Sequence, residues 1–214
     1  MTQYFVYGEA ETGWLKSRDP LLGAAIDEIG PISRPVIPDL FEALIQAIVG
    51  QRISIKAQAT IWARIQKLAA PISPGRFMDL SLEELSQCGL APRKAMNIKE
   101  IAASILKGDL DLAALDSLKD QEVLKRLCQI KGLGPWTAEM LMTFSMQRPD
   151  VLSWGDLAIH RGLRMLYGHR KITPALFAKY KRRYSPHGTV ASLYLWAIAG
   201  GAAPALKDPK KGAL

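Results

Sequence analysis

Residues 127–142 read "LCQIKGLGPWTAEMLM", two glycines and a proline set between two apolar segments that otherwise favour helix. Gly132 and Gly134 can take positive φ or let a second backbone come close, and Pro135 suits the first position of a helix, where an N–H would lack a partner anyway. The stretch therefore predicts a helix that stops, a sharp turn, and a second helix. Such a turn is either a corner between packed helices or a seat for a phosphate. A helix N-terminus presents free N–H groups and partial positive charge, and glycines let a phosphate approach the backbone without meeting a Cβ.

The rest of the chain narrows the choice. At 214 residues and 49% apolar content it can bury a real core, as one large domain or two small lobes. Lys plus Arg number 28 against 20 Asp plus Glu, and the resulting net charge of +8 favours a polyanionic partner. Cys88 and Cys128 lie far apart without C-x-x-C spacing, so no disulfide framework, thiolate zinc site or four-cysteine iron–sulfur cluster can be built. His160, His169 and His187 have no ligand spacing either. No apolar run approaches the roughly 18 residues of a membrane span, and the start "MTQYFVYGEAETGWLK" lacks a basic region followed by an apolar core. These features predict a monomeric cytoplasmic protein, nucleoid-associated if bacterial, with no membrane partner.

Apolar residues recur at three- and four-residue spacing almost throughout, while alternating runs are nearly absent apart from "QYFVY" at residues 3–7, so the fold class is all-α. A first helix is expected in "DPLLGAAIDEIG", followed by a connector rich in proline (Pro31, Pro35, Pro38), the one plausible hinge. Asp39 and Ser54 are placed to cap the next two helices, and Ser81 with Glu84 has capping-box spacing. Ser117 with Asp120 has a similar spacing before the first arm of the opening turn, and further helices are expected from Asp156, after Thr173-Pro174, and near "TVASLYLWAIAGG". The tail "KDPKKGAL" reads as loose.

A G-x-G before a helix is a weak signal alone; its neighbours strengthen it. The hairpin is followed by "PDVLSWGDLAIHRGL", in which Asp156 stands at the mouth of another helix. This order, together with "LFEALIQAIVGQRISIKAQATIWARI", "GLAPRKAMNIKEIA" and "YSPHGTVASLYLW", resembles the helix-hairpin-helix DNA glycosylase superfamily, and within it the 3-methyladenine DNA glycosylase II branch. Long bacterial members of that branch carry an N-terminal β-rich domain, for which the residues before Asp39 leave no room; the chain is similar to the compact members. The resemblance implies a two-lobed helical fold with the active site in the cleft between lobes. In it, segments of about 1–38 and 155–214 pack as one lobe and the hairpin at 120–146 belongs to the other.

The resemblance also implies the chemistry, which is hydrolysis of the N-glycosidic bond of an alkylated purine flipped out of double-stranded DNA. Asp156 matches the catalytic carboxylate, although an aspartate at a helix start is by default only an N-cap. Trp136 occupies the position that holds a Schiff-base lysine in relatives that also cut the strand, so the reaction is expected to stop at an abasic site. Trp136 and Trp196 match pocket tryptophans, with burial in the core as the alternative for each, and Met140 stands where some relatives place another aromatic. Arg52, flanked by Gln51 and Ile53, matches the wedge that fills the hole left by a flipped base; a plain capping loop is the alternative. Gly132, Gly134 and Thr137 match the phosphate-binding hairpin, and carbonyls of Cys128, Ile130 and Leu133 match a structural Na⁺ or K⁺ site. No other cofactor is expected. The rival readings are a glycosylase for uracil or for oxidised or deaminated bases on the same scaffold, and a non-catalytic DNA-binding protein.

Overall fold

The computed structural model describes residues 2–209. In chain order the elements are β1 (Gln3–Tyr4), α1 (Glu9–Arg18), α2 (Pro20–Ile29), β2 (Pro35–Val36), α3 (Leu40–Gly50), α4 (Ile55–Ala69), α5 (Pro74–Asp79), α6 (Leu82–Gln87) and α7 (Pro92–Leu106). A 3₁₀ turn at Ala113–Ser117 leads into α8 (Asp120–Gln129), α9 (Pro135–Phe144), α10 (Leu157–Tyr167), α11 (Pro174–Tyr184) and α12 (Gly188–Gly200). The fold is all-α, as the periodicity predicts; among the described residues its sheet is one two-stranded ribbon, β1 antiparallel to β2 with Gln3 opposite Val36. Among the described residues no helix is long and apolar enough to cross a membrane.

Local chemistry sets most helix starts. Asp39, Ser54 and Thr173 each accept a backbone N–H from the first turn that follows, and Ser81 and Glu84 close a reciprocal capping box. Two helix starts differ from expectation. Residues 9–18 form α1, which the sequence did not announce because its only buried residue is Leu15 and it carries no apolar stripe. Ser117 does not cap α8: it lies inside the 3₁₀ turn and donates to Ala114 O at 2.9 Å, while Lys119 precedes the helix without a side-chain cap.

The chain divides into two compact units, residues 1–36 with 147–214, and residues 37–146. In the first, α12 is apolar on nearly every side and packs against α10 and α2, with Leu163, Leu195 and Ile198 fully buried. Gly162 makes the α10–α12 approach close, because a Cβ there would run into the Leu195 carbonyl. A buried polar knot holds this unit together. Asp19, 1% exposed, caps α2 through Leu22 N–H and accepts from Tyr167 OH (2.5 Å) and the Arg183 guanidinium (2.6 Å). The tail is tied down at its start, contrary to expectation, since Arg164 donates through both Nε (3.0 Å) and Nη2 (2.6 Å) to Asp208; residues 210–214 of it lie outside the described residues.

In the second unit Leu44, Ile45, Ile48, Ile65, Phe77 and Ile98 are buried among α3, α4, α5 and α7. Two lysines of α7 cap neighbouring helix ends. Lys99 donates to the carbonyls of Met78, in the last turn of α5, and of Leu80 just after it, and Lys94 does the same at the end of α3 through Val49 and Gln51. A cation is favourable at a helix C-terminus, where unpaired carbonyls carry partial negative charge.

Candidate active site and DNA-docking turn

The turn between α8 and α9 assigns its two glycines different tasks. Gly132 sits at φ +89, in the left-handed region, and a Cβ on it would collide with Asn97 Nδ2. Gly134 has φ −96 and ψ 171, an extended conformation that suits the residue before a proline. No heavy atom lies within 4 Å of where its Cβ would stand. Gly132 therefore makes the corner, and Gly134 keeps the approach open to the start of α9. That helix begins at Pro135 and has no side-chain cap, the condition in which first-turn N–H groups receive an anion.

The loop after α3 lies on the same unit. Gln51 is half-buried and its Nε2 donates to the Gly132 carbonyl at 2.9 Å, so its amide is engaged within the protein. Arg52 is exposed and held at φ 56, uncommon for a non-glycine residue, and Ile53 beside it is also exposed. Lys94 Nζ donates to the carbonyls of Val49 (2.8 Å) and Gln51 (2.7 Å), with burial pushing its ammonium below the ordinary lysine range.

Asp156 belongs to the other unit, at the end of a loop stitched to the start of α12. Asp150 accepts from Gly188 N–H (3.1 Å) and Ser185 OH (2.5 Å), Thr189 Oγ1 accepts from Val151 N–H (2.9 Å), and Ser192 OH donates to Val151 O (2.9 Å). Beyond the loop, Asp156 Oδ1 accepts from Ala158 N–H (2.8 Å) and Ile159 N–H (3.0 Å), capping α10. The residue is 7% exposed. Its charge is thus fixed against the positive end of a helix dipole inside a nearly closed surface. The capping reading of Asp156 is correct as geometry; it leaves open what else the carboxylate does.

The HhH-GPD superfamily of base excision DNA repair proteins matches residues 45–186, a span that includes the Arg52 loop, the hairpin and Asp156. The chain belongs to this superfamily. DNA-3-methyladenine glycosylase 1 of Schizosaccharomyces pombe is 34% identical over 161 residues, covering 73% of this chain and 71% of its own. A crystal structure of a DNA-3-methyladenine glycosidase from Bacillus halodurans superposes with a TM-score of 0.83 at 36% identity, covering 94% of each chain. The S. pombe 3-methyladenine DNA glycosylase in complex with abasic DNA gives 0.79 at 29% identity, covering 89% of this chain and 97% of that one.

Within this HhH-GPD fold the aromatic candidates differ in exposure. Trp136, in the first turn of α9, is 44% exposed, while Met140 and Trp196 are half-buried and Thr137 is buried. The carbonyls of Cys128, Ile130 and Leu133 fall in the last turn of α8 and the turn after it, and Ile130 O accepts the Leu133 N–H at 3.0 Å. Among the described residues no group of three or more His, Cys, Asp or Glu side chains could hold a metal ion. Sequence reasoning missed three supporting residues. Lys94 and Asn97, beneath the loop and the turn, stand in "APRKAMN", where helical spacing alone could have placed them on one face. His160 Nε2–H donates to the Trp154 carbonyl at 2.8 Å, and its ring stacks on Phe177 at 5.6 Å, bracing the loop just before Asp156.

Proposed function

We propose that this HhH-GPD protein is a monofunctional DNA glycosylase that hydrolyses the N-glycosidic bond of alkylated purines of the 3-methyladenine and 7-methylguanine type, as the first step of base excision repair. Likeness over 73% of the chain to a protein named DNA-3-methyladenine glycosylase, and over 94% to a solved DNA-3-methyladenine glycosidase, carries this reading.

The residues fit the chemistry. Glycoside hydrolysis ordinarily uses a second carboxyl group to protonate the leaving group. An N-alkylated purine already bears positive charge and departs neutral with the bonding electron pair, so one carboxylate is enough. Asp156 stabilises the oxocarbenium-like sugar and assists the water whose oxygen bonds to C1′. The exposed Trp136 face, with Met140 on the same helix, supplies stacking for a cationic base, worth about 0.5 to 2 kcal/mol; Trp196 is the second pocket tryptophan that the resemblance implies. The open approach at Gly134 and the uncapped start of α9 receive a backbone phosphate, Thr137 adds to that contact, and Arg52, flanked by Gln51 and Ile53, is the wedge. The carbonyls of Cys128, Ile130 and Leu133 are neutral oxygen donors of the kind that suits Na⁺ or K⁺, which would add positive charge beside that phosphate. Since Trp136 offers no amine, a Schiff base has no nucleophile at that position.

Asp156→Asn tests the assignment. Asparagine caps helices about as well as aspartate, so the two bonds to Ala158 and Ile159 persist and the fold survives. Single-turnover release of 7-methylguanine should fall by about 10²-fold or more, with abasic-site duplex still bound. Wild type should cut strands only after alkali and leave no borohydride-trapped adduct. Wild-type excision rates in the asparagine variant would remove Asp156 from the mechanism, and a trapped adduct would end the monofunctional reading.

A further inference from the structure

Lys94, Asn97 and Glu100 recur at three-residue spacing along α7 and so lie on one face of it. Each meets a different part of the DNA-docking surface. Lys94 holds the two carbonyls at the end of α3, Asn97 fills the space beneath Gly132, and Glu100 pairs with Lys131 of the hairpin at 2.9 Å. Gln51 closes the circuit by donating to the Gly132 carbonyl. Arg52, the next residue, is exposed and left-handed, a conformation that persists only where the surroundings impose it.

We infer that Lys94 is a positioning residue for base extrusion: from the face of α7 that also carries the hairpin, it fixes the Arg52 tip at a set distance from the phosphate-binding turn. The inference rests on the glycosylase reading for its biological setting and on geometry within residues 37–146 for its substance. Without the Lys94 ammonium, two carbonyls at the negative end of α3 lose their donor. The loop then relaxes away from the left-handed tip while the hairpin still docks. The defect is specific to filling the vacated stack, because extrusion is hardest for a well-paired base and easiest for one without a partner.

The test compares Lys94→Met, Lys94→Arg and Gln51→Ala with wild type on two duplexes, with 7-methylguanine opposite cytosine or opposite an abasic site. Lys94→Met should slow single-turnover excision by roughly 10-fold or more on the paired lesion and about twofold or less on the unpaired one. Lys94→Arg, which restores a cationic donor, should recover most of the rate. Gln51→Ala cuts the other tether with little loss of packing, so it should repeat the pattern even if Lys94→Met fails to fold. In parallel, 2-aminopurine opposite a tetrahydrofuran gap reports insertion without chemistry. Wild type should raise its fluorescence, and Lys94→Met should not while still binding the duplex. Equal losses on both duplexes, or the same fluorescence rise in wild type and variant, would overturn the positioning role. A wild type that raises the fluorescence but excises neither lesion would overturn the glycosylase reading and leave the positioning role standing.

Discussion

A single Cβ separates the two hairpin glycines. At Gly134 the backbone is extended and the space open, so Gly134→Ala is tolerated and, by restricting the unfolded chain, should stabilise the protein by about 0.4 to 1 kcal/mol. The same methyl group stands on the approach of the proposed phosphate contact. Affinity for an abasic-site duplex should fall by about 1 kcal/mol, roughly 5-fold, with little dependence on sequence. Gly132→Ala is the opposite case: left-handed φ and contact with Asn97 make it destabilising by about 1 to 2 kcal/mol or more. Thermal melting and fluorescence anisotropy on both variants check the pair, and weaker binding by a more stable Gly134→Ala protein is the diagnostic result. The sequence shows that two glycines precede a helix; it does not show which one makes the corner, because that depends on Asn97, far back in the chain.

At the scale of elements, α10 starts at its cap Asp156 and leans on α12 through Gly162. Gly162→Ala would push a methyl group into the Leu195 carbonyl, and overpacking of this kind costs about 1 to 3 kcal/mol. The helix must shift to relieve it, taking Asp156 along. Excision should therefore drop well beyond what melting or affinity for abasic-site DNA would suggest, and comparing the three measurements separates displacement of the carboxylate from simple unfolding. What was legible in the sequence follows a physical line. Helix starts at Asp39, Ser54, Ser81 and Thr173 could be read because each cap bonds a backbone N–H three residues on. Asp156 was legible for the same reason. By contrast α1, with Leu15 alone buried, has no periodic signal, and Lys94 and His160 act through contacts whose partners the local pattern does not specify.

For the molecule as a whole, the buried tyrosines predict how stability responds to alkali. Burial, helped by the neighbouring hydroxyls and Asp19, raises Tyr167 above its ordinary value of 10.0; burial likewise raises Tyr184 and, with Tyr7 beside it, Tyr194. The folded protein keeps protons that the unfolded chain releases near that ordinary value. This contribution is therefore complete below about pH 10 and is lost as pH climbs beyond it. Urea midpoints should start to fall near pH 9, where the unfolded chain also releases the thiol protons that burial holds on Cys88 and Cys128, and fall more steeply beyond about pH 10, with the tyrosinate absorbance of these three buried residues appearing only on unfolding. Tyr184→Phe should make the decline shallower by about 1.4 kcal/mol per pH unit, the weight of one proton; an unchanged slope would show that Tyr184 does not take part.

The same polar knot bears on how the protein is made. Asp19 is synthesised 148 residues before Tyr167 and 164 before Arg183, a wait on the order of ten seconds or more at ordinary elongation rates. Residues 37–146 form a continuous unit and can close while translation proceeds, whereas the unit built from both chain ends has to wait for its second half. A nascent or truncated chain that stops short of Arg183 holds a carboxylate with its burial site unfinished. Such a chain stays open to proteases and chaperones, so a complete Asp19 knot marks a finished repair enzyme.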